Sequence, residues 1–83
     1  MKLIKVLQSM ELARIMTSKC SYKYFQTKDI RYKEFCDKFK ELKFKFEEID
    51  VDGDEVVDLV NRVSGLLINY KMFEVQRSEE RNN

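Results

Sequence analysis

Residues 28–49 read KDIRYKEFCDKFKELKFKFEEI. In this stretch Tyr32, Phe35, Phe39, Leu42, Phe46 and Ile49 recur at spacings of 3, 4, 3, 4 and 3. An α-helix puts residues three and four apart on one side, so the six form the unbroken seam of a helix packed on other helices. Cys36 and Phe44 lie beside the seam and widen it. Glu34 precedes Lys38 by four residues, and Glu41 precedes Lys45 likewise. That is the favourable order for helical ion pairs, each worth a few tenths of a kcal/mol. A helix over 28–49 would be roughly 33 Å long.

The flanking sequence carries the same period. Downstream, Val56, Val60, Val63, Leu67 and Tyr70 make a second stripe with Leu59, Leu66 and Phe73 beside it, which predicts a helix over 53–75. Gly65 within it costs about 1 kcal/mol relative to Ala and suggests a close approach of the neighbouring helix. Upstream, Leu3, Val6, Leu7, Met10, Ala13 and Thr17 share a face, which predicts a shorter helix over 2–18. Residues 18–27, SKCSYKYFQT, interrupt the rhythm and read as a connector. Thr27 then reads as the N-cap of the next helix, with Asp29 in its first turn. The polar end, QRSEERNN, reads as a fraying tail.

The expected fold is therefore all-α. A single helical domain over 1–76 holds an antiparallel hairpin of two long helices plus a shorter N-terminal helix, and 77–83 form a polar disordered tail. Composition points the same way: the chain has no Pro and only two glycines, Gly53 and Gly65. A sheet protein of this length would need about four or five turns, each with its own Gly, Pro or Asn chemistry. A domain of 83 residues buries only roughly 60–65% of its unfolded surface, so a partner subunit would add to its core.

The net charge of +1 conceals a segregation. Residues 1–46 carry twelve Lys/Arg against five Asp/Glu, whereas EEIDVDGDEVVD, 47–58, carries seven acids and no base. A basic half and an acidic bend on one body suit an antiparallel dimer, or the steering of an oppositely charged partner.

The acidic stretch admits two readings. It resembles an EF-hand calcium loop over about sixteen residues, with Asp50, Asp52, Asp54 and Asp58 on ligand positions one, three, five and nine. Position six, which needs Gly, is Glu55, and position twelve, the bidentate Glu, is Asn61. As a helical bend the same residues have other roles: Asp52 as N-cap, Glu55 as its capping-box partner, and Val51 with Val56 as a hydrophobic staple. The bend is the preferred reading, and a degenerate single calcium site is the third-ranked alternative.

Chemistry is hard to find elsewhere. His is absent, and Cys20 and Cys36 form no CxxC or Cys/His spacing. They read as small core residues of an intracellular, cytoplasmic protein with reduced thiols. The start, MKLIKVLQSMELAR, has no signal-peptide core, and no run of about 18 apolar residues spans a bilayer. No enzyme and no cofactor are expected. Lys38, Lys40, Lys43 and Lys45, interleaved with aromatics, form a candidate nucleic-acid surface, although Glu34, Asp37 and Glu41 mix the sign of that face. In outline the charged hairpin resembles the plasmid repressor-of-primer family, helical-hairpin dimers that bind RNA loops. That likeness is carried by EIDVDGDEVVDL, 48–59.

The function expected from these residues is protein–protein interaction. They describe a small non-enzymatic regulatory or adaptor protein acting through helical faces as a homodimer, of a composition that suits phage, viral or mobile-element genes. Nucleic-acid binding is the alternative.

Overall fold

The computed structural model describes residues 2–50 and 52–82; Met1, Val51 and Asn83 lie outside the described set. Three helices follow in order: α1 (Leu3–Thr27), α2 (Ile30–Glu48) and α3 (Glu55–Asn82). They form a small all-α bundle, and no strand occurs among the described residues. Val6 and Ala13 of α1 pack with Leu42 and Phe46 of α2 and with Val56, Leu59, Val60 and Val63 of α3. At the other end, Met16 and Cys20 pack with Tyr32, Phe39, Tyr70 and Phe73. Hence α2 runs antiparallel to both neighbours, while α1 and α3 run parallel.

The first helix departs from the sequence reading. α1 has 25 residues and α2 has 19, so the N-terminal helix is not the shorter one. The expected connector at 18–27 is helical throughout. Aromatic residues lose little helical stability when one side is buried, and Cys20 and the half-buried Tyr24 give this segment a buried side. Thr17 and Thr27 do not break the helix either, because their hydroxyls donate back to the carbonyls of Ala13 and Lys23 at 2.7 and 2.8 Å.

The buried face of α1 is also rotated from the expected one. Val6, Ser9, Ala13, Met16 and Cys20 face inward, whereas Leu3 and Leu7 are exposed. Size explains the choice. Ser9, Ala13 and Cys20 are small, and they let α1 approach the bulky Tyr32, Phe39 and Phe46 of α2.

Two residues reverse the chain between α1 and α2. Lys28 adopts a left-handed backbone (φ 61°), and its N–H donates to the Tyr24 carbonyl at 2.7 Å. The N-cap of α2 is Asp29, not Thr27: the Asp29 carboxylate accepts from the Arg31 N–H at 3.1 Å. Thr27 serves the turn instead, its hydroxyl accepting from the Asp29 N–H at 3.1 Å.

The seam of α2 is placed as its spacing predicts. Tyr32, Phe39, Leu42 and Phe46 are buried, and Phe35 and Ile49 are half-buried. Phe44 is exposed rather than part of a widened face. On α3, Val56, Leu59, Val60, Val63, Tyr70 and Phe73 are buried. Gly65 corrects an expectation: a Cβ built there meets nothing within 4 Å, so no helix approaches closely at that point. The end of the chain differs too. α3 continues through the expected tail to Asn82, and its last turns are tied down by Arg77 and Glu80.

Candidate functional site

The four candidate lysines of α2 do not gather. Lys38 lines the groove between α2 and α3 with Glu41, Arg62 and Asn69. Lys45 lines a second part of that groove and pairs with Glu41 at 3.3 Å. Lys43 instead lines the α1–α2 groove with Leu7, Met10 and Arg14. Lys40 and Lys43 flank the exposed Phe44 ring, their amines 6.0 and 5.4 Å from its centroid. The tetrad is thus divided over two flanks of one helix.

The acidic bend is a turn followed at once by a helix. The Gly53 N–H donates to the Asp50 carbonyl at 3.0 Å, and the Asp52 N–H donates to the Asp50 carboxylate at 3.1 Å. α3 then begins at Glu55, so Asp52 lies too far upstream to be its N-cap, and Asp58 sits within the first helical turn. The expected Val51–Val56 staple falls on a residue outside the described set. Among the described residues no group of three or more His, Cys, Asp or Glu side chains is arranged to hold a metal ion, so Asp50, Asp52, Asp54 and Asp58 are not brought together as ligands.

A polar network that the sequence reading missed closes the opposite end of the bundle. Asp29 accepts from Arg31 Nη2 at 2.7 Å and from Arg77 Nε at 3.2 Å. Arg31 reaches on to Glu80 with two bonds of 3.1 and 3.0 Å. These guanidinium bonds, Arg31 foremost, hold the Asp29 carboxyl well below the usual range. Deeper in, the hydroxyls of Tyr32 and Tyr70 donate to the two oxygens of Glu74 at 2.6 and 2.7 Å. Burial, reinforced by that carboxylate, pushes the Tyr32 phenol up to about 12 and raises Tyr70 further. Burial alone would raise Glu74, but the two donors outweigh it and leave its carboxyl below the ordinary value. The only sequence signal for this network was Asp29 at a helix start. The bonds to Arg77 and Glu80 join residues 48 and 49 positions apart and have no local pattern.

The thiols are quiet. Cys20 is fully buried, which pushes it up to about 12. Cys36 donates to the Thr17 carbonyl at 3.4 Å and is also raised by burial. Thiols held protonated are poor nucleophiles.

Exposed apolar side chains such as Leu7, Phe25, Ile30, Phe44 and Met72 are distributed around the bundle, but one set is aligned in rows on α1 and α3. Ile4, Leu12, Ile15 and Tyr22 of α1 are exposed, as are Val57, Ile68 and Val75 of α3, although the core beneath them is already filled. α1 meets α2 through the groove containing Leu7 and Met10, and meets α3 on the side of Lys23, which shares a groove with Glu74 and Ser78. α3 meets α2 on the side of Arg62 and Asn69. At about 100° of rotation per residue, the exposed apolar rows of α1 and α3 therefore both lie on the side of the bundle turned away from α2. Among the described residues, no helix is long and apolar enough to cross a membrane.

Comparison of the chain with protein-family models, with curated proteins and with solved structures finds no significant match.

Proposed function

We propose that this protein acts by binding rather than by catalysis, as a small regulatory or adaptor protein whose helical faces dock protein, and that it works as a homodimer. The observation that carries the reading is the exposed α1–α3 face. Ile4, Tyr22, Ile68 and Val75 each leave roughly 60% of their surface open on a bundle whose core needs none of them. Scattered exposed apolar residues are ordinary, but aligned rows on adjacent helices mark contact surfaces. The two free cysteines, both without an activating base, suit a reducing cytoplasmic setting.

A second reading keeps one specific observation. Lys40 and Lys43 around the open Phe44 ring form a small cationic and aromatic platform of the kind that stacks a single-stranded base. It is narrower than the four-lysine surface read from the sequence.

Sedimentation equilibrium at micromolar concentration tests the first reading. A species of twice the 10.0 kDa chain mass supports it. A clean monomer that also retains RNA with a steep salt dependence would replace it with the second.

A further inference from the structure

We infer that the α1–α3 face docks a second copy of this chain in antiparallel fashion, through a two-fold axis that crosses the helices, so that α1 meets α1 and α3 meets α3. The inference rests on the homodimer reading above and specifies its geometry.

On α1 the row runs Ile4, Gln8, Leu12, Ile15, Lys19, Tyr22, all exposed. At about 100° per residue these six fall within an arc of roughly 80°. The order is symmetric about a point between Leu12 and Ile15. Antiparallel pairing sets Ile4 against the second copy's Tyr22, Gln8 against its Lys19, and Leu12 against its Ile15. Apolar groups then meet apolar groups, and the one lysine meets an amide oxygen.

On α3 the row runs Val57, Asn61, Ser64, Ile68, Lys71, Val75, again all exposed and again within roughly 80°. Its symmetry point lies between Ser64 and Ile68. Val57 then meets the second copy's Val75, and Asn61 meets its Lys71. A single two-fold axis can serve both helices only if the two symmetry points stand at one level, and they do. The Lys19 amine lies 5.9 Å from the Tyr70 ring centroid, and Lys23 lines one groove with Glu74 and Ser78. Level with one another on adjacent parallel helices, these contacts place the middle of one row beside the middle of the other.

Charge favours the antiparallel sense over the parallel one. A parallel dimer would bring Lys19 and Lys71 of both copies to one level. The antiparallel dimer separates them. It also brings the acidic bend, which holds Asp50, Asp52, Asp54 and Glu55, toward the end of the second copy that carries Lys23 and Lys28.

Cross-linking decides it. In the double variant Ile4→Cys/Tyr22→Cys the two new thiols sit about 27 Å apart on one rigid helix, so a short bismaleimide cannot join them within a chain. The expected result is a covalent dimer whose mapped link joins position 4 of one chain to position 22 of the other, with Val57→Cys/Val75→Cys giving the corresponding 57-to-75 link. If sedimentation finds a dimer but mixing Ile4→Cys with Val57→Cys gives the efficient link instead, the dimer is parallel and the inference is overturned while the homodimer reading stands. A monomer in sedimentation, with no link in either variant, overturns both.

Discussion

Phe39 is fully buried at the centre of the α2 seam, among Met16, Cys20, Tyr32, Tyr70 and Phe73. Truncating such a side chain removes its transfer energy and leaves a cavity that a rigid bundle cannot collapse, together about 3–5 kcal/mol. Phe39→Ala should therefore consume much of the stability of a domain this small, and chemical denaturation would read the loss directly. A midpoint close to that of the parent would mean that the seam does not hold the core. Asp29 acts through charge. It caps α2 and bonds Arg31 and Arg77, so its carboxyl is held below the ordinary value. A group depressed in the folded state contributes stability that is fully present above its unfolded pKa and is lost as pH falls toward the folded value. Melting temperatures should fall below about pH 4, and Asp29→Asn, which keeps the cap but not the ion pairs, should flatten that acid limb. An unchanged acid limb would show that the network contributes nothing to folding.

Among the elements, α3 offers the cleanest test of local energetics, because Gly65 is mid-helix, exposed, and faces open space. Gly65→Ala should stabilise the protein by about 1 kcal/mol, seen as a rise in the thermal midpoint; a fall would restore the close helix approach that its sequence position suggested. The all-α architecture of the described residues was legible in the sequence because the seams of α2 and α3 are built from large apolar residues at strict 3–4 spacing. α1 was legible only in part. Its seam mixes Val6 and Met16 with the small Ser9, Ala13 and Cys20, which weakens the hydrophobic signal, while the conspicuous Leu3 and Leu7 lie outside the core. The run Ser21–Thr27 has weak helical propensity and is helical because the bundle buries one side of it, a tertiary effect no local pattern records. The candidate sites fared differently. Lys38, Lys40, Lys43 and Lys45 are close in number, but helical rotation sends them to two flanks. The network of Asp29, Arg31, Arg77 and Glu80 was invisible because its members come together only when α3 returns to the start of α2.

On the scale of the whole molecule, the bundle is closed as a fold and open as a surface. Both cores are closed and, among the described residues, no buried side-chain nitrogen or oxygen lacks a partner, while the α1–α3 face stays open. Removing that face should separate assembly from folding, since exposed positions contribute little to the stability of the monomer. The direct measurement is sedimentation equilibrium of the parent beside the double variant Ile15→Asp/Ile68→Asp, with far-ultraviolet circular dichroism of both. The parent should sediment at twice the 10.0 kDa chain mass. The variant should sediment as a monomer with unchanged helix content. A variant that stays dimeric, or a parent that is monomeric across the micromolar range, would contradict the account.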